Sequence, residues 1–401
     1  MVESPARPWL TIVGIGEDGW DGLAAPARAA IDAAELVMGP ARHLALLDEH
    51  RGRTLIWPVP FADGVPLLLA ERGRAVVVLA SGDPFWFGAG SSLTRHLERE
   101  EWVAHPVPST FSLAAARLGW ALQDMACVAI HAAPVMRLRP HLAPGRRIVA
   151  LLRDGAAVRE VAAWLTGQDF GASTLYILES LGGPRERVRT VRADATVPED
   201  VAHPVALGID CTGGGRVLPC ASGLSDDWFD HDGQISKRPV RALTLSALAP
   251  RPGELLWDIG AGSGSIGIEW LLAHPANHVV ALEADPARAM RVAANATALG
   301  VDRIDVRIGR APEALPEGQP DAVFIGGGLS QALLQALWAR LSMGCRLVAN
   351  AVTLESEALL AQWQADKGGH LLRIDLAEVA PIGSRRGWRA SYPLVQWSVT
   401  L

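Results

Sequence analysis

The chain is expected to be an α/β protein of two domains, and three observations carry that expectation. Near-continuous Val, Ile and Leu runs alternate with Ala- and Leu-rich stretches through both halves, the pattern of buried parallel strands separated by helices. The length of 401 residues exceeds the roughly 100–200 of a typical domain. The glycine-rich stretch Asp210-Cys211-Thr212-Gly213-Gly214-Gly215-Arg216 opens a polar segment that reaches Asp232. Periodicity vanishes there, which marks a linker near the middle of the chain.

Strands are expected in the first half at 10–14, 75–80, 148–152 and 174–178. In the second half they are expected at 255–259, 278–282, 305–308, 321–325 and 345–350. The resulting division is a domain at 1–208, a linker and lead-in at 209–232, and a domain at 233–401.

Composition narrows the function. A formal net charge of −6 offers no general attraction to nucleic acid or an anionic membrane. No apolar run approaches the ~18 residues of a membrane span. The first eight residues lack an apolar core, so a cleaved secretory signal is not expected. Cys127, Cys211, Cys220 and Cys345 form no C-x-x-C pair, so neither a zinc ribbon nor a disulfide framework is indicated. The expected setting is cytoplasmic, with no metal. Lys237 and Lys367 are the two lysines among 37 Lys and Arg residues. Arginine grips carboxylates bidentately, which suits a polyacidic ligand, but a GC-rich genome, which the abundant alanine also indicates, is the favoured explanation of the bias.

The most informative segment is Leu255-Leu256-Trp257-Asp258-Ile259-Gly260-Ala261-Gly262-Ser263-Gly264-Ser265-Ile266-Gly267. A strand ends in a carboxylate, glycines make a tight turn, and a helix begins. Gly262, Gly264 and Gly267 also satisfy the dinucleotide pattern G-x-G-x-x-G, which is weak by itself. Asp258 decides against it: a carboxylate there would repel a pyrophosphate and attract the sulfonium and ammonium charges of S-adenosylmethionine. Glu283 ends the next strand, where it can hold ribose hydroxyls, a feature common to both cofactors. Gly309-Arg310-Ala311-Pro312 follows the third strand, where adenine would be flanked. Gly326-Gly327-Gly328 ends the fourth, with room for a flat substrate, and the Pro-Pro-aromatic motif of base-amine methylases is absent.

Several of these segments resemble the decarboxylating precorrin methyltransferases of cobalamin synthesis, over about residues 223–380. They are the lead-in Asp227-Trp228-Phe229-Asp230-His231-Asp232-Gly233-Gln234-Ile235-Ser236-Lys237-Arg238, the glycine loop, Ala311-Pro312-Glu313-Ala314-Leu315, and Asn350-Ala351-Val352-Thr353-Leu354-Glu355. The resemblance implies a Rossmann-like class I methyltransferase domain. Ser236, Gly260, Ala261, Gly262, Ser263, Gly264, Glu283 and Ala311 would contact its cofactor. The family usually has Thr where Ser236 stands, and the hydroxyl is kept.

In the first half, Val76-Val77-Val78-Leu79-Ala80-Ser81-Gly82-Asp83-Pro84 runs from a strand into a Gly-Asp-Pro loop. This places a carboxylate and free N–H groups at a strand's carboxyl edge, where open α/β sheets bind ligands. Thr11-Ile12-Val13-Gly14-Ile15-Gly16 precedes it, and His105-Pro106-Val107-Pro108-Ser109-Thr110 follows, with a helix cap at Ser109 or Thr110. In this order the motifs resemble the tetrapyrrole methylases, over about residues 8–205, implying a class III methylase fold. Ser81, Gly82, Asp83, Trp86, Ser109 and Thr110 would line its cofactor pocket. Two stretches depart from many relatives: Gly14-Ile15-Gly16 replaces Gly-Pro-Gly, and Ala129-Ile130-His131-Ala132 replaces Ser-Leu-His-Gly.

Both folds in one chain resemble the fused precorrin methyltransferases. The resemblance implies methylation of a precorrin-6 type tetrapyrrole at C5 by the first domain. The second domain would methylate C15 and remove the C12 acetate carboxyl, giving precorrin-8. One S-adenosylmethionine per domain, a metal-free substrate of the precorrin-6B type and a homo-oligomer (dimer or tetramer) are implied with it. No covalent nucleophile is needed, because the bridge carbons of a reduced tetrapyrrole are enamine-like. Decarboxylation needs a proton donor, for which His231, Lys237 and Arg241 are candidates; Asp83 is the candidate for steering or deprotonating substrate in the first domain. Two alternatives are an RNA methyltransferase with an N-terminal binding module, disfavoured by the lack of a basic stripe, and a non-catalytic scaffold, disfavoured by intact Asp258, Glu283, Gly82 and Asp83.

Overall fold

The structure, a computed structural model, describes residues 8–47 and 52–401. It divides into two compact units between Arg216 and Val217, with the short stretch Met136–Pro140 grouping with the second. The division falls inside the expected linker, but that segment is not free-standing chain. Its first residues belong to a strand ending at Asp210, and Leu224 and Phe229 are buried in the core of the second unit. Apolar side chains in an otherwise polar stretch help to dock it.

The first unit holds two five-stranded sheets. One contains β1 (Leu10–Ile15), β2 (Leu36–Gly39), β3 (Arg53–Ile56), β4 (Val76–Ser81) and β5 (Trp102–His105), in the order β3-β2-β4-β1-β5. All its pairings are parallel, and Val76 to Ala80 are each at most 3% exposed, as a strand covered on both faces should be.

The other contains β6 (Met125–Ala129), β7 (Arg147–Leu151), β8 (Thr174–Glu179), β9 (Arg187–Arg192) and β10 (Val205–Asp210), ordered β6-β7-β10-β8-β9. Here the expectation of a parallel sheet fails. β10 inserts antiparallel between β7 and β8, and β8 pairs antiparallel with β9. Buried strands read alike in either direction, so apolar runs at 148–152 and 174–178 did not reveal it.

The second unit is built on a seven-stranded sheet. Its strands are β11 (Leu255–Ile259), β12 (His278–Glu283), β13 (Asp305–Ile308), β14 (Ala322–Ile325), β15 (Arg346–Ala351) and β16 (His370–Ile374). After a separate hairpin of β17 (Ala377–Ile382) and β18 (Arg385–Ala390), β19 (Leu394–Thr400) completes it. The order is β13-β12-β11-β14-β15-β19-β16, parallel except for β19. The strand order reverses between β11 and β14, so the carboxyl ends of β11 and β14 form a topological switch point. Helix Ser265–Ala273 starts directly after the glycine loop and is buried from Ser265 through Leu271. Among the described residues no helix is long and apolar enough to cross a membrane.

Candidate functional site

Each unit carries a cavity at the carboxyl edge of its parallel strands. In the first unit a cavity of about 390 Å³ opens between the two sheets. Ser81, Gly82, Asp83, Trp86, Ser109 and Thr110 all line it. Its floor depends on glycine: a Cβ on Gly14 would stand 2.0 Å from the Gly82 carbonyl oxygen and 2.9 Å from the Val107 nitrogen. The loops after β1 and β4 can approach only because that Cβ is missing. Gly82 itself has φ +58°, in the left-handed region.

Asp83 Oδ1 accepts the Phe85 N–H at 2.8 Å, which orients the loop. Ser109 caps helix Thr110–Leu118 by accepting the Ser112 N–H at 3.1 Å. Trp86 and Phe87 pack on Phe111 at 5.3 and 5.8 Å between centroids, and the three rings form one wall of the cavity.

The lining also holds Arg42, Arg153 and His203, which no motif singled out, and His131 from the stretch that departs from many relatives. Arg42 pairs with Glu17, which Arg185 also meets at 3.4 Å. Burial, with Arg42 adding to it, pushes His43 down to about 3. Burial likewise lowers His131 and His203 below the ordinary histidine range. Ala132, next to His131, is exposed and lies outside the lining.

In the second unit a cavity of about 820 Å³ runs along the ends of β13, β12, β11, β14, β15 and the start of β19. Ser236, Gly260, Ala261, Gly262, Ser263, Glu283 and Ala311 line it. Gly260, Gly262 and Gly264 have φ of 71°, 60° and 77°. A Cβ on Gly260 would lie 2.6 Å from the Gly327 nitrogen, so the loops after β11 and β14 are also held together by a missing side chain. Glu283 accepts the Gly262 N–H at 2.8 Å through Oε2 and the Asp285 N–H at 3.0 Å through Oε1. Each oxygen keeps a lone pair for the cavity.

Two residues of the glycine motif act from behind the lining. Gly264 begins the helix, where a Cβ would strike Val292 Cγ1 at 2.7 Å. Asp258 is 1% exposed. Its Oδ2 accepts the Gly267 N–H at 3.0 Å, and its Oδ1 has no partner. Burial foremost, with Glu283 adding to it, pushes this carboxyl up to about 7. An orphaned carboxylate oxygen beside a glycine cradle fits a cationic cofactor, and it fits a pyrophosphate badly.

His231, Lys237 and Arg241 do not line this cavity. His231 Nδ1 accepts the Gly233 N–H at 3.0 Å within its own loop. Lys237 is exposed, 3.9 Å from Asp226. Arg241 is 0% exposed. It donates to Glu269 at 2.5 Å, to Asp226 at 3.1 Å, and to the carbonyls of Ser236 and Leu224. Glu269 in turn accepts the N–H groups of Gly223 and Leu224. Arg241 therefore pins the lead-in segment and, fully buried and outside the lining, does not face a substrate. Instead the lining includes Gln234, Arg288, Arg310 and Asn350. Among the described residues no group of His, Cys, Asp or Glu is placed to hold a metal ion.

Residues 9–196 match the family of tetrapyrrole (corrin/porphyrin) methylases, and residues 227–401 match the precorrin methyltransferase domain. The chain is 50% identical, over 98% of its length and 96% of the relative's, to a precorrin-6Y C(5,15)-methyltransferase (decarboxylating) of Sinorhizobium sp. It is 41% identical to the protein of the same name from Mycobacterium tuberculosis, over 98% of this chain and 99% of that one. Among solved structures it is similar to the C-terminal domain of precorrin-6Y C5,15-methyltransferase from Rhodobacter capsulatus, at 50% identity and a TM-score of 0.44, covering 46% of this chain and all of that one. With half its residues matched along a full-length relative, the chain belongs to the family of decarboxylating precorrin-6Y C5,15-methyltransferases.

Proposed function

We propose that this chain methylates a precorrin-6 type tetrapyrrole at C5 in its first unit. In its second unit it methylates C15 and removes the carboxyl of the C12 acetate, yielding precorrin-8 in cobalamin synthesis. Each cavity holds one S-adenosylmethionine. The observation that carries this reading is that each unit has a cavity at the strand ends where two chain segments approach too closely for a Cβ, at Gly14 in the first and Gly260 in the second.

When bound, S-adenosylmethionine supplies a methyl group on a sulfonium centre. The chain's own residues bind, orient and exclude water. In the second unit Glu283 fixes Gly262 and offers its remaining lone pairs to ribose hydroxyls, while Asp258 supplies buried negative charge behind the loop. In the first, the wall of Trp86, Phe87 and Phe111 suits a flat ring. Asp83, unlike Glu17, is not tied to an arginine, so it is the carboxylate free to steer or deprotonate substrate there. Holding carbon, methyl and sulfur in line replaces a covalent nucleophile, and effective molarities of ~10⁵–10⁸ M indicate what such alignment can supply. Arg42 and Arg153 in one cavity, and Arg288 and Arg310 in the other, match a substrate edged with acetate and propionate arms.

The substrate is read as metal-free and of the precorrin-6B type, and the protein as a cytoplasmic homo-oligomer, dimer or tetramer. Four unpaired cysteines agree with a reducing compartment, and sedimentation tests the assembly. The function is tested by anaerobic turnover. Two S-adenosylhomocysteines and one CO₂ per tetrapyrrole are expected; one S-adenosylhomocysteine, or no CO₂, would contradict it.

A further inference from the structure

The cavity of the second unit is large, and strand order divides it. Gly260, Gly262, Glu283 and Ala311 stand over β11, β12 and β13, the half that the cofactor takes. Gly326–Gly328, Asn350, Val352 and Leu394 stand over β14, β15 and β19, on the other side of the switch point. The substrate must therefore lie over this second half, next to the methyl group.

Asn350 is held there by a buried polar network drawn from three elements. Its Nδ2 donates to Thr244 Oγ1 at 2.9 Å, on helix Arg238–Leu248. Gln396, its register partner on β19, donates from Nε2 to Asn350 Oδ1 at 3.0 Å and to Thr244 Oγ1 at 3.1 Å. Thr244 and Gln396 are 0% and 3% exposed, whereas Asn350 is half-buried and reaches the cavity. Both N–H groups of Gln396 are used. Asn350 retains one N–H, and the network fixes the plane of its amide.

We propose that this remaining N–H of Asn350 grips the acetate carboxylate that is lost as CO₂. The inference rests on the function proposed above. The acetate sits on the same pyrrole ring that the methylated bridge carbon joins, so its carboxylate lies within about one ring's width of the methyl-transfer centre, inside the same cavity. β15 is two strands from β11, about 10 Å at ~4.8 Å per strand, which suits a side chain reaching back to that position. Three other polar lining groups are less suited. Ser330 Oγ accepts the Leu333 N–H as a helix cap, Arg288 is tied to Asp232 at 2.9 Å, and Arg310 follows β13 on the far side.

A neutral donor also fits the chemistry. The bond between the acetate methylene and its carboxylate carbon breaks, CO₂ leaves, and the electron pair passes into the conjugated ring imine. A proton from solvent then adds to the methylene, which becomes a methyl group as the pair returns. Carboxylate charge disappears in this step, so a guanidinium would hold the ground state more tightly than the transition state, whereas an amide orients the group at lower cost.

The test compares wild type with Asn350→Ala, Asn350→Asp and Thr244→Val. In Asn350→Asp the Thr244 hydroxyl can turn to donate, so the network stays satisfied while the cavity donor is lost. CO₂ released per S-adenosylhomocysteine formed is expected to fall at least about tenfold in both Asn350 variants and less in Thr244→Val. Tetrapyrrole binding without the methyl donor, followed by absorbance, should weaken by about tenfold in the same Asn350 variants, with S-adenosylhomocysteine affinity unchanged. An unchanged CO₂ ratio, equal loss of both products, or unaltered tetrapyrrole binding would overturn the assignment. If wild type itself releases no CO₂, the proposed function fails, and this inference fails with it.

Discussion

Glu283 Oε2 accepts the backbone N–H of Gly262 at 2.8 Å, so the carboxylate at the end of β12 sets the shape of the glycine loop after β11. One side chain thus anchors the loop, and in the function proposed here it also offers its remaining lone pairs to ribose. Glu283→Ala is expected to weaken S-adenosylhomocysteine binding in the second unit by at least about tenfold, since a charged hydrogen-bond acceptor is removed. Calorimetric titration reads this directly, and an unaltered isotherm would mean that Glu283 anchors nothing.

Asp258 makes stability depend on pH. Its carboxyl is pushed up to about 7 from an ordinary value of 3.8, so the folded chain holds this proton more tightly than the unfolded one. The group therefore favours the fold in acid and costs stability as pH rises from about 4 through about 7. Asp258→Asn is expected to stabilise the apoprotein at pH 8 by about 1–3 kcal/mol, because it removes a buried charge while its amide oxygen still accepts the Gly267 N–H, and to have less effect at pH 5. Urea unfolding at the two pH values checks it. Equal shifts at both would contradict the assignment of a buried, uncompensated carboxylate.

Gly14→Ala forces a Cβ against the Gly82 carbonyl and the Val107 nitrogen. Overpacking of this kind costs about 1–3 kcal/mol. The first unit should lose its cofactor equivalent while the second keeps its own. Retention of both equivalents would show that the loop spacing does not matter to binding.

Arg241 separates a structural role from a catalytic one. Removing one partner of a buried ion pair costs about 3–5 kcal/mol, so Arg241→Ala should lower the unfolding midpoint sharply. A variant of wild-type stability with lost turnover would restore Arg241 as a candidate proton donor.

Much of the site was legible because glycine spacing and strand-end carboxylates are local signals. Ser81, Gly82, Gly260, Gly262 and Glu283 stand at strand ends, and the parallel sheets bring those ends to one edge. What stayed hidden depends on partners distant in sequence. Arg241 reads as a free cation until Glu269, 28 residues on, folds against it. Asp258 reads as a carboxylate meeting the cofactor's positive charge, yet it is buried outside the lining, accepting the Gly267 N–H. Asn350 acquires its orientation from Gln396 and Thr244, 46 and 106 residues away. Insertion of β10 between β7 and β8 is likewise a matter of pairing, which apolar runs alone do not encode.

The central claim is that each unit binds its own cofactor, and titration of S-adenosylhomocysteine into the wild-type chain tests it most directly. Two equivalents per chain are predicted, one of them lost in Gly14→Ala and the other weakened in Glu283→Ala. A single equivalent in wild type would contradict the account and leave one of the two cavities without a methyl donor.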